Sequence, residues 1–299
     1  MAPPWATELA VIDGLSLGWQ TDLIFARFDG VVSECADCVV VRTPANPRFY
    51  WGNCLILPRP PLDADLAHWL ARFEQEVGRF TTESGHVAIG YDALAPHPPL
   101  LAWAAAGFEI HASETLRLRS TDRRVQPMPL APEFEFRAID LSQAAEFAAV
   151  LDLQCAAMAQ GFEPAGYRLY RELQMRRYAA MQRADLGHWF GIWRGADLLA
   201  DCGLFHAAQA QLALGRFQHV STHPAWRRRG LCTALISATL QHGFAQMGLL
   251  TLVMCADPDD VAIGIYESLG FARVSRAFAA QRRAPRDLGV AHQVGDADQ

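Results

Sequence analysis

The sequence predicts a mixed α/β protein in two domains. Three observations carry this: a length of 299 residues, strand-like and helix-like segments interleaved along both halves, and a proline-studded break between the halves. Hydrophobic residues make up 51% of the chain and charged residues 19%, which is enough apolar material for packed cores and too little charge for disorder. The break is Ser120–Pro132, STDRRVQPMPLAP, polar and then proline-rich with no apolar period. It sets a boundary near Leu130, so residues 1–130 and 131–285 are expected as domains and 286–299 as a weakly ordered tail.

In the first half the apolar pattern predicts a helix over Leu15–Arg27 and strands at Cys38–Arg42 and Phe49–Leu57. A helix over Asp63–Val77, a strand at His86–Tyr91, a short helix Pro99–Ala105 stopped at Gly107, and a strand Phe108–Leu118 follow. The second half opens on the alternating strand Phe134–Asp140, and Leu141-Ser142 starts a helix to about Met158 with Ser142 as its N-cap. The loop Gly161–Gly166 separates it from a helix through Arg168 to Arg183. Strands His188–Trp193 and Asp197–His206 read as a hairpin across Gly195-Ala196-Asp197, and a strand Gln211–Thr222 follows. A long helix Arg229–Met247, a buried strand Leu249–Cys255, a helix Asp259–Leu269 capped by Gly270, and a strand Phe271–Phe278 complete the pattern. Both halves run strand, long helix, buried strand, short helix, Gly-Phe, strand, with Gly107-Phe108 matching Gly270-Phe271, which suggests a duplicated fold.

Composition removes several chemistries. All 26 basic residues are arginine, so a lysine Schiff base, a Walker lysine and a pyridoxal-lysine linkage are excluded. A net charge of -6 argues against general nucleic-acid binding. No apolar run approaches the ~20 residues of a membrane span, and the N-terminus has neither a basic nor an apolar leader region, so a cytoplasmic location is expected. Seven cysteines, an odd and scattered set, read as reduced thiols. Cys35-Ala-Asp-Cys38 lacks the second ligand pair of a zinc site and precedes a strand rather than a redox helix, so no metal is expected.

The chemistry concentrates in Phe217–Thr233, where a strand ends at Pro224, arginines and Gly230 make a turn, and a helix begins. Free N–H groups at a helix start, close approach permitted by glycine, and Arg227, Arg228 and Arg229 together read as a diphosphate site. Arg227-Arg-Arg-Gly230-Leu-Cys232 resembles the R-x-x-G-x-[GA] acetyl-CoA motif of the GNAT N-acetyltransferases. Asp259-Asp-Val-Ala262-Ile-Gly-Ile-Tyr266-Glu-Ser-Leu-Gly270-Phe271 resembles that family's N-x-x-A-x-x-x-Y-x-x-x-G-F pattern, and the resemblance covers Phe134–Phe278.

The resemblance implies two domains of mixed, mostly antiparallel sheet flanked by helices, and acetyl transfer from acetyl-CoA to a small-molecule or peptide amine. It implies that the edge of Val220, Ser221 and Thr222 pairs with the pantetheine arm. Arg227, Arg228, Arg229, Gly230, Leu231, Cys232 and Thr233 would form the cradle, with Asp259 at the position of the family's asparagine. It also implies that Tyr266 protonates the departing thiolate. The base stays open among His219, His206, Glu163, Asp257 and a water chain. Period-two alternation puts Arg216, Gln218 and Val220 on one face and Phe217 and His219 on the other, so His219 serves only if a bulge re-aims it.

The first half has Leu57-Pro-Arg-Pro-Pro-Leu62 where the cradle would stand and Trp103 where Tyr266 would stand. Prolines lack the N–H that a cradle needs, so this half is expected to bind no CoA and to cover the active domain, shape the amine pocket or dimerise. The stretch Arg42–Asn53, dense in aromatic and polar groups, reads equally as a pocket lining or as a packed turn. A non-catalytic acyl-CoA sensor is the alternative function.

Overall fold

The structure is a computed structural model that describes residues 11–82, 84–93, 99–122, 128–158, 164–207 and 213–284. Its elements in chain order are α1 Val11–Gly14, α2 Leu17–Asp29, β1 Val31–Glu34, β2 Val39–Arg42, β3 Cys54–Leu57, α3 Leu66–Glu76, β4 Val87–Asp92, α4 Leu101–Ala105 and β5 Glu109–Arg119. The order continues with β6 Glu135–Ile139, α5 Ala144–Ala157, α6 Pro164–Arg183, β7 Gly187–Arg194, β8 Asp197–His206 and β9 Leu214–Thr222. It ends with α7 Leu231–Ala245, β10 Thr251–Ala256, α8 Ala262–Ser268 and β11 Ala272–Arg282. No helix among the described residues is long and apolar enough to cross a membrane.

The chain forms two compact units, and the first is not one continuous stretch. The first is built on residues up to His111 together with the stretch from Arg276; the second is built on Ala112–Ser275. In the first unit the strands run β1-β2-β3-β4-β11, all antiparallel except the β3–β4 pair, which α3 joins as a crossover. In the second they run β5-β10-β9-β8-β7-β6, again antiparallel except for one pair, β9–β10, which α7 joins. Each unit therefore repeats one scheme, strand, crossover helix, parallel strand and short helix. Gly107 and Gly270 close the two short helices at φ of 84° and 97°, the left-handed conformation that glycine adopts without steric cost.

The expected boundary near Leu130 is not where the units divide. The stretch from Ser120 follows β5, but Glu114–Arg119 of β5 is paired with β10 inside the second unit. Conversely, Ala277–Arg282 of β11 is paired with β4 inside the first, which carries that strand past the expected end at Phe278. Linker composition marks where the chain is irregular; it does not say which core the preceding strand joins.

Three local differences have simple causes. The strand expected from Phe49 starts at Cys54, because Tyr50–Gly52 turn in a 3-10 helix held by Asn53, whose side chain binds Thr43 N, Asn46 O and Phe49 O. Tyr50 stacks on His86 at 4.1 Å, so the Arg42–Asn53 stretch is a packed turn rather than a pocket wall. Ser142 is not the N-cap of α5: its N–H and hydroxyl both donate to Asp140 Oδ1, an Asx-type turn that moves the cap position to Gln143. Val31–Glu34 is a strand the pattern did not single out; it makes a hairpin with β2 across Cys35–Cys38, with Cys35 N donating to Cys38 O at 2.9 Å.

Leu116 and Leu118 of β5 are fully buried in the second unit's core, each worth roughly 1.5–3 kcal/mol. Their sum is a large share of the roughly 5–15 kcal/mol that stabilises a domain. Residues 131–299 produced alone should therefore give no cooperative melt by circular dichroism, whereas a chain beginning at residue 109 should regain it for the second unit.

Candidate active site

The second unit's core fills the side of its sheet against α7 and α8, and buries Leu199, Ala200, Cys202, Leu204, Phe217, Leu235, Ile236, Leu252 and Tyr266. The opposite side packs against α5 and α6, where Tyr178 stacks on Phe205 and Trp189 is tilted against both. The site is built where these two sides meet at a gap in the sheet.

Strands β9 and β10 pair only over Leu214–Arg216 with Thr251–Val253, and then part. From Phe217 to Thr222, β9 keeps its pairing with β8 on one side while the edge toward β10 is released. That edge opens on a cleft of about 880 Å³, lined among others by His219, Val220, Ser221 and Thr222, by Arg227 to Thr233 except Arg229, and by Tyr266. The edge expected at Val220–Thr222 is thus open.

A tight turn lies behind it. Residues Pro224–Trp226 make a 3-10 turn, and Arg228 and Gly230 both take left-handed backbone, at φ of 58° and 77°. Gly230 is the N-cap of the 15-residue α7 and supplies no side-chain cap, so the first-turn amides, those of Leu231, Cys232 and Thr233, point outward with the helix dipole behind them. An anion fits this end. The three arginines differ. Arg227 donates to Thr222 O at 3.3 Å and Ala157 O at 3.5 Å, and so ties the end of β9 to the end of α5. Arg229 lies over the Trp226 ring at 4.6 Å, with Arg194 also over that ring at 4.3 Å. Arg228 is exposed at the cleft and has no polar partner among the described residues.

Tyr266 is 2% exposed and lines the cleft; burial, with Cys232 and Asp260 beside it, holds its phenol well above the usual range, so it keeps its proton. Asp259 is exposed and does not line the cleft. Its neighbour Asp260 does, and accepts from Ala262 N to start α8. Cys232 is pushed up to about 12 by burial and by Asp260, so it is a thiol and not a nucleophile.

The alternation expected along β9 breaks at His219. The register passes from Asp201↔Ser221 to Gly203↔Gln218, so two residues of β9, His219 and Val220, stand against one of β8. His219 carries the extra turn at φ of 47°. Beyond the bulge the faces exchange: Phe217 and Val220 both pack on the core, while Ser221 reaches Asp201 on the α5/α6 side. His219 is 3% exposed, its ring lies 6.5 Å from Trp189 at 24°, and neither ring nitrogen has a hydrogen-bond partner among the described residues. Burial and the Arg171 guanidinium hold it well below the usual imidazole range, so it is neutral. Of the other base candidates, His206 binds Ala207 O, Asp257 accepts from Asp259 N, and neither lines the cleft; Glu163 lies outside the described residues.

Sequence reasoning missed Asp201, Gln154, Trp189 and Arg171. Asp201 is completely buried and accepts from Ser221 Oγ at Oδ1, and from Gln154 Nε2 and Trp189 Nε1, each at 2.9 Å, at Oδ2. Arg171 Nε donates to Gln154 Oε1 at 2.9 Å. The one signal available was an aspartate inside the otherwise apolar strand Leu198–His206. Among the described residues no cluster of His, Cys, Asp and Glu could hold a metal ion.

In the first unit the matching place is filled. Trp103 is fully buried and its indole donates to Leu62 O at 3.2 Å, while Ala102 N donates to Asp63 Oδ1 at 3.0 Å.

Residues 147–271 match the model of the Acetyltransferase (GNAT) family. No curated protein sequence matches the chain. Among solved structures, a GCN5-related N-acetyltransferase from Kribbella flavida superposes with a TM-score of 0.61 at 15% identity, over 94% of this chain and 97% of its own. A tandem GNAT protein from the clavulanic acid biosynthesis pathway gives 0.54 at 14%, over 91% and 93%. A functionally unknown conserved protein from Staphylococcus epidermidis ATCC 12228 gives 0.67 at 12%, over 86% and 95%. At these identities the likeness is one of fold.

A thiol held near 12 rather than 9 has ~1,000-fold less thiolate at neutral pH. Alkylation with iodoacetamide at pH 8, read by mass spectrometry, should therefore leave Cys232 unmodified in the folded protein and modify it only after denaturation.

Proposed function

We propose, on the premise that residues 147–271 form a domain of the GNAT acetyltransferase family, that the second unit transfers the acetyl group of acetyl-CoA to a primary amine by direct attack. The observation that carries this is one continuous cleft in which the released edge of β9 leads into the uncapped start of α7.

Acetyl-CoA, when bound, supplies the acetyl group as an activated thioester. The main chain of Val220, Ser221 and Thr222 holds the pantetheine arm as an added strand and polarises the thioester carbonyl. The amides of Leu231, Cys232 and Thr233 hold the diphosphate, and Gly230 lets it approach. Arg228 adds charge there, while Arg227 and Arg229 brace the loop. Asp259, exposed and outside the cleft lining, holds no part of the nucleotide. His219, neutral and a cleft-lining residue, takes a proton from the attacking amine. Tyr266 gives its phenol proton to the departing sulfur. The bond formed is N–C and the bond broken is C–S, so no acyl-enzyme is needed.

The first unit is read as a degenerate GNAT-like partner, making this a tandem protein. Its prolines Pro58, Pro60 and Pro61 and its buried Trp103 leave no amide cradle. All seven cysteines are free, which suits a reducing compartment, and we place the protein in the cytoplasm.

Acetyl-CoA, an amine panel and a thiol-detecting reagent test the reading: an enzyme releases CoA, whereas a sensor binds acetyl-CoA and releases none. Tyr266→Phe should lower kcat by about tenfold to a hundredfold with CoA affinity by calorimetry unchanged. Gly230→Val forces a β-branched residue into left-handed backbone and should weaken CoA binding about tenfold.

A further inference from the structure

A histidine at φ of 47° is a strained residue, costing roughly 1–2 kcal/mol, and such a conformation persists only where its surroundings over-determine it. Among the described residues its ring nitrogens have no hydrogen-bond partner that would hold it. What holds it must act through its neighbours. Two residues on, Ser221 donates to Asp201 Oδ1; the ring on which His219 stacks, Trp189, donates to Asp201 Oδ2. Gln154, on α5 in the cleft wall, donates to the same oxygen and is itself held by Arg171 of α6. One carboxylate thus ties β9, β7 and α5 together around the bulge, at the single register step where β9 carries its extra residue.

Building on the reading above, we propose that Asp201 is the positioning residue of the active site, whose carboxylate holds the β9 bulge open and aims His219 and the released strand edge at the reacting centre. Only an ionised carboxylate accepts from all three donors at once. A protonated one must reverse its bond at Oδ1 and donate to Ser221 Oγ, because the donors of Gln154 and Trp189 at Oδ2 cannot turn. Burial raises this acid to about 6, its three hydrogen bonds opposing the rise. The titratable and charged groups around it are Arg171, Tyr167, Cys202 and His219; Tyr167 and Cys202 are pushed up to about 12 and higher, and His219 is held neutral. Asp201 is therefore the group in this set that changes charge between pH 5 and 8.

The sign of the linkage separates this role from simple support of the fold. An acid whose folded pKa is raised opposes folding while ionised, and that opposition fades as pH falls through about 6 toward the unfolded value. Removing the charge should leave stability equal or higher, while activity falls. The test uses the full chain with Asp201→Asn and Ser221→Ala. For Asp201→Asn at pH 7.5, the expected result is a melting temperature no lower than wild type, CoA affinity by calorimetry within about threefold, and kcat lower by about tenfold to a hundredfold. Ser221→Ala should lower kcat in the same direction. The wild-type kcat profile should lose its acid side near pH 6, and that limb should be absent in Asp201→Asn.

The decisive readout does not need turnover: the His219 ring resonances, assigned by their loss in His219→Gln, should shift with a midpoint near pH 6 in wild type. In Asp201→Asn they should be displaced and pH-independent over that range. Unchanged His219 resonances in Asp201→Asn overturn the proposal, as does wild-type kcat, or a parallel loss of melting temperature and CoA affinity. A wild type that binds CoA but acetylates no amine refutes the enzyme reading alone, and the resonances still decide the role of Asp201.

Discussion

Everything in the second unit follows from two neighbouring parallel strands that cease to pair. Parallel strands are normally buried with their hydrogen-bonding edges satisfied, so a parting of β9 from β10 after Arg216 and Val253 leaves main-chain donors and acceptors exposed in the middle of a sheet. Such groups are costly to bury without partners and are strong recognition elements when a ligand supplies them. The crossover helix α7 makes the gap useful. It begins at the end of β9, so the open edge and the electropositive helix start are consecutive in the chain and adjacent in space.

A second constraint keeps that geometry in place. A bulge in a strand paired on one edge only can slide or collapse, and a slip of one residue exchanges every side chain between faces. Here the exchange occurs once and is used. Phe217 anchors the core before the bulge and Val220 after it, while Ser221 is handed to the polar side. A buried carboxylate is an expensive way to secure a turn, since its desolvation opposes folding. Its directional bonds to a serine, an amide and an indole specify one register in a way that apolar packing does not.

The first unit repeats the same strand scheme without the gap's chemistry. Its crossover starts at prolines, and the indole of Trp103 donates to the backbone oxygen of Leu62 in the segment where a cradle would need to stay open. The two units also differ in which part of the chain completes them: the first takes its fifth strand from the last strand of the sequence, and the second takes one from the strand that ends the first half.

Much of this was legible in the residues. Short-range features are encoded locally. The Arg-Arg-Arg-Gly turn before an apolar helix, the tyrosine four residues before Gly-Phe, the prolines after β3 and nearly all strand and helix positions depend on a few consecutive residues. What only the tertiary structure decided is non-local. The partner strands of β5 and β11, the bulge that turns His219 away from the face of Phe217, the choice of Asp260 over Asp259 at the cleft wall, and the gathering of Gln154, Arg171, Trp189 and Ser221 on Asp201 all rest on pairing between segments far apart in the chain. Alternation of side chains holds only while a strand keeps its register, and register is settled by the neighbouring strand. A lone aspartate in an apolar strand announces that something must satisfy it; which groups do so is a property of the folded sheet.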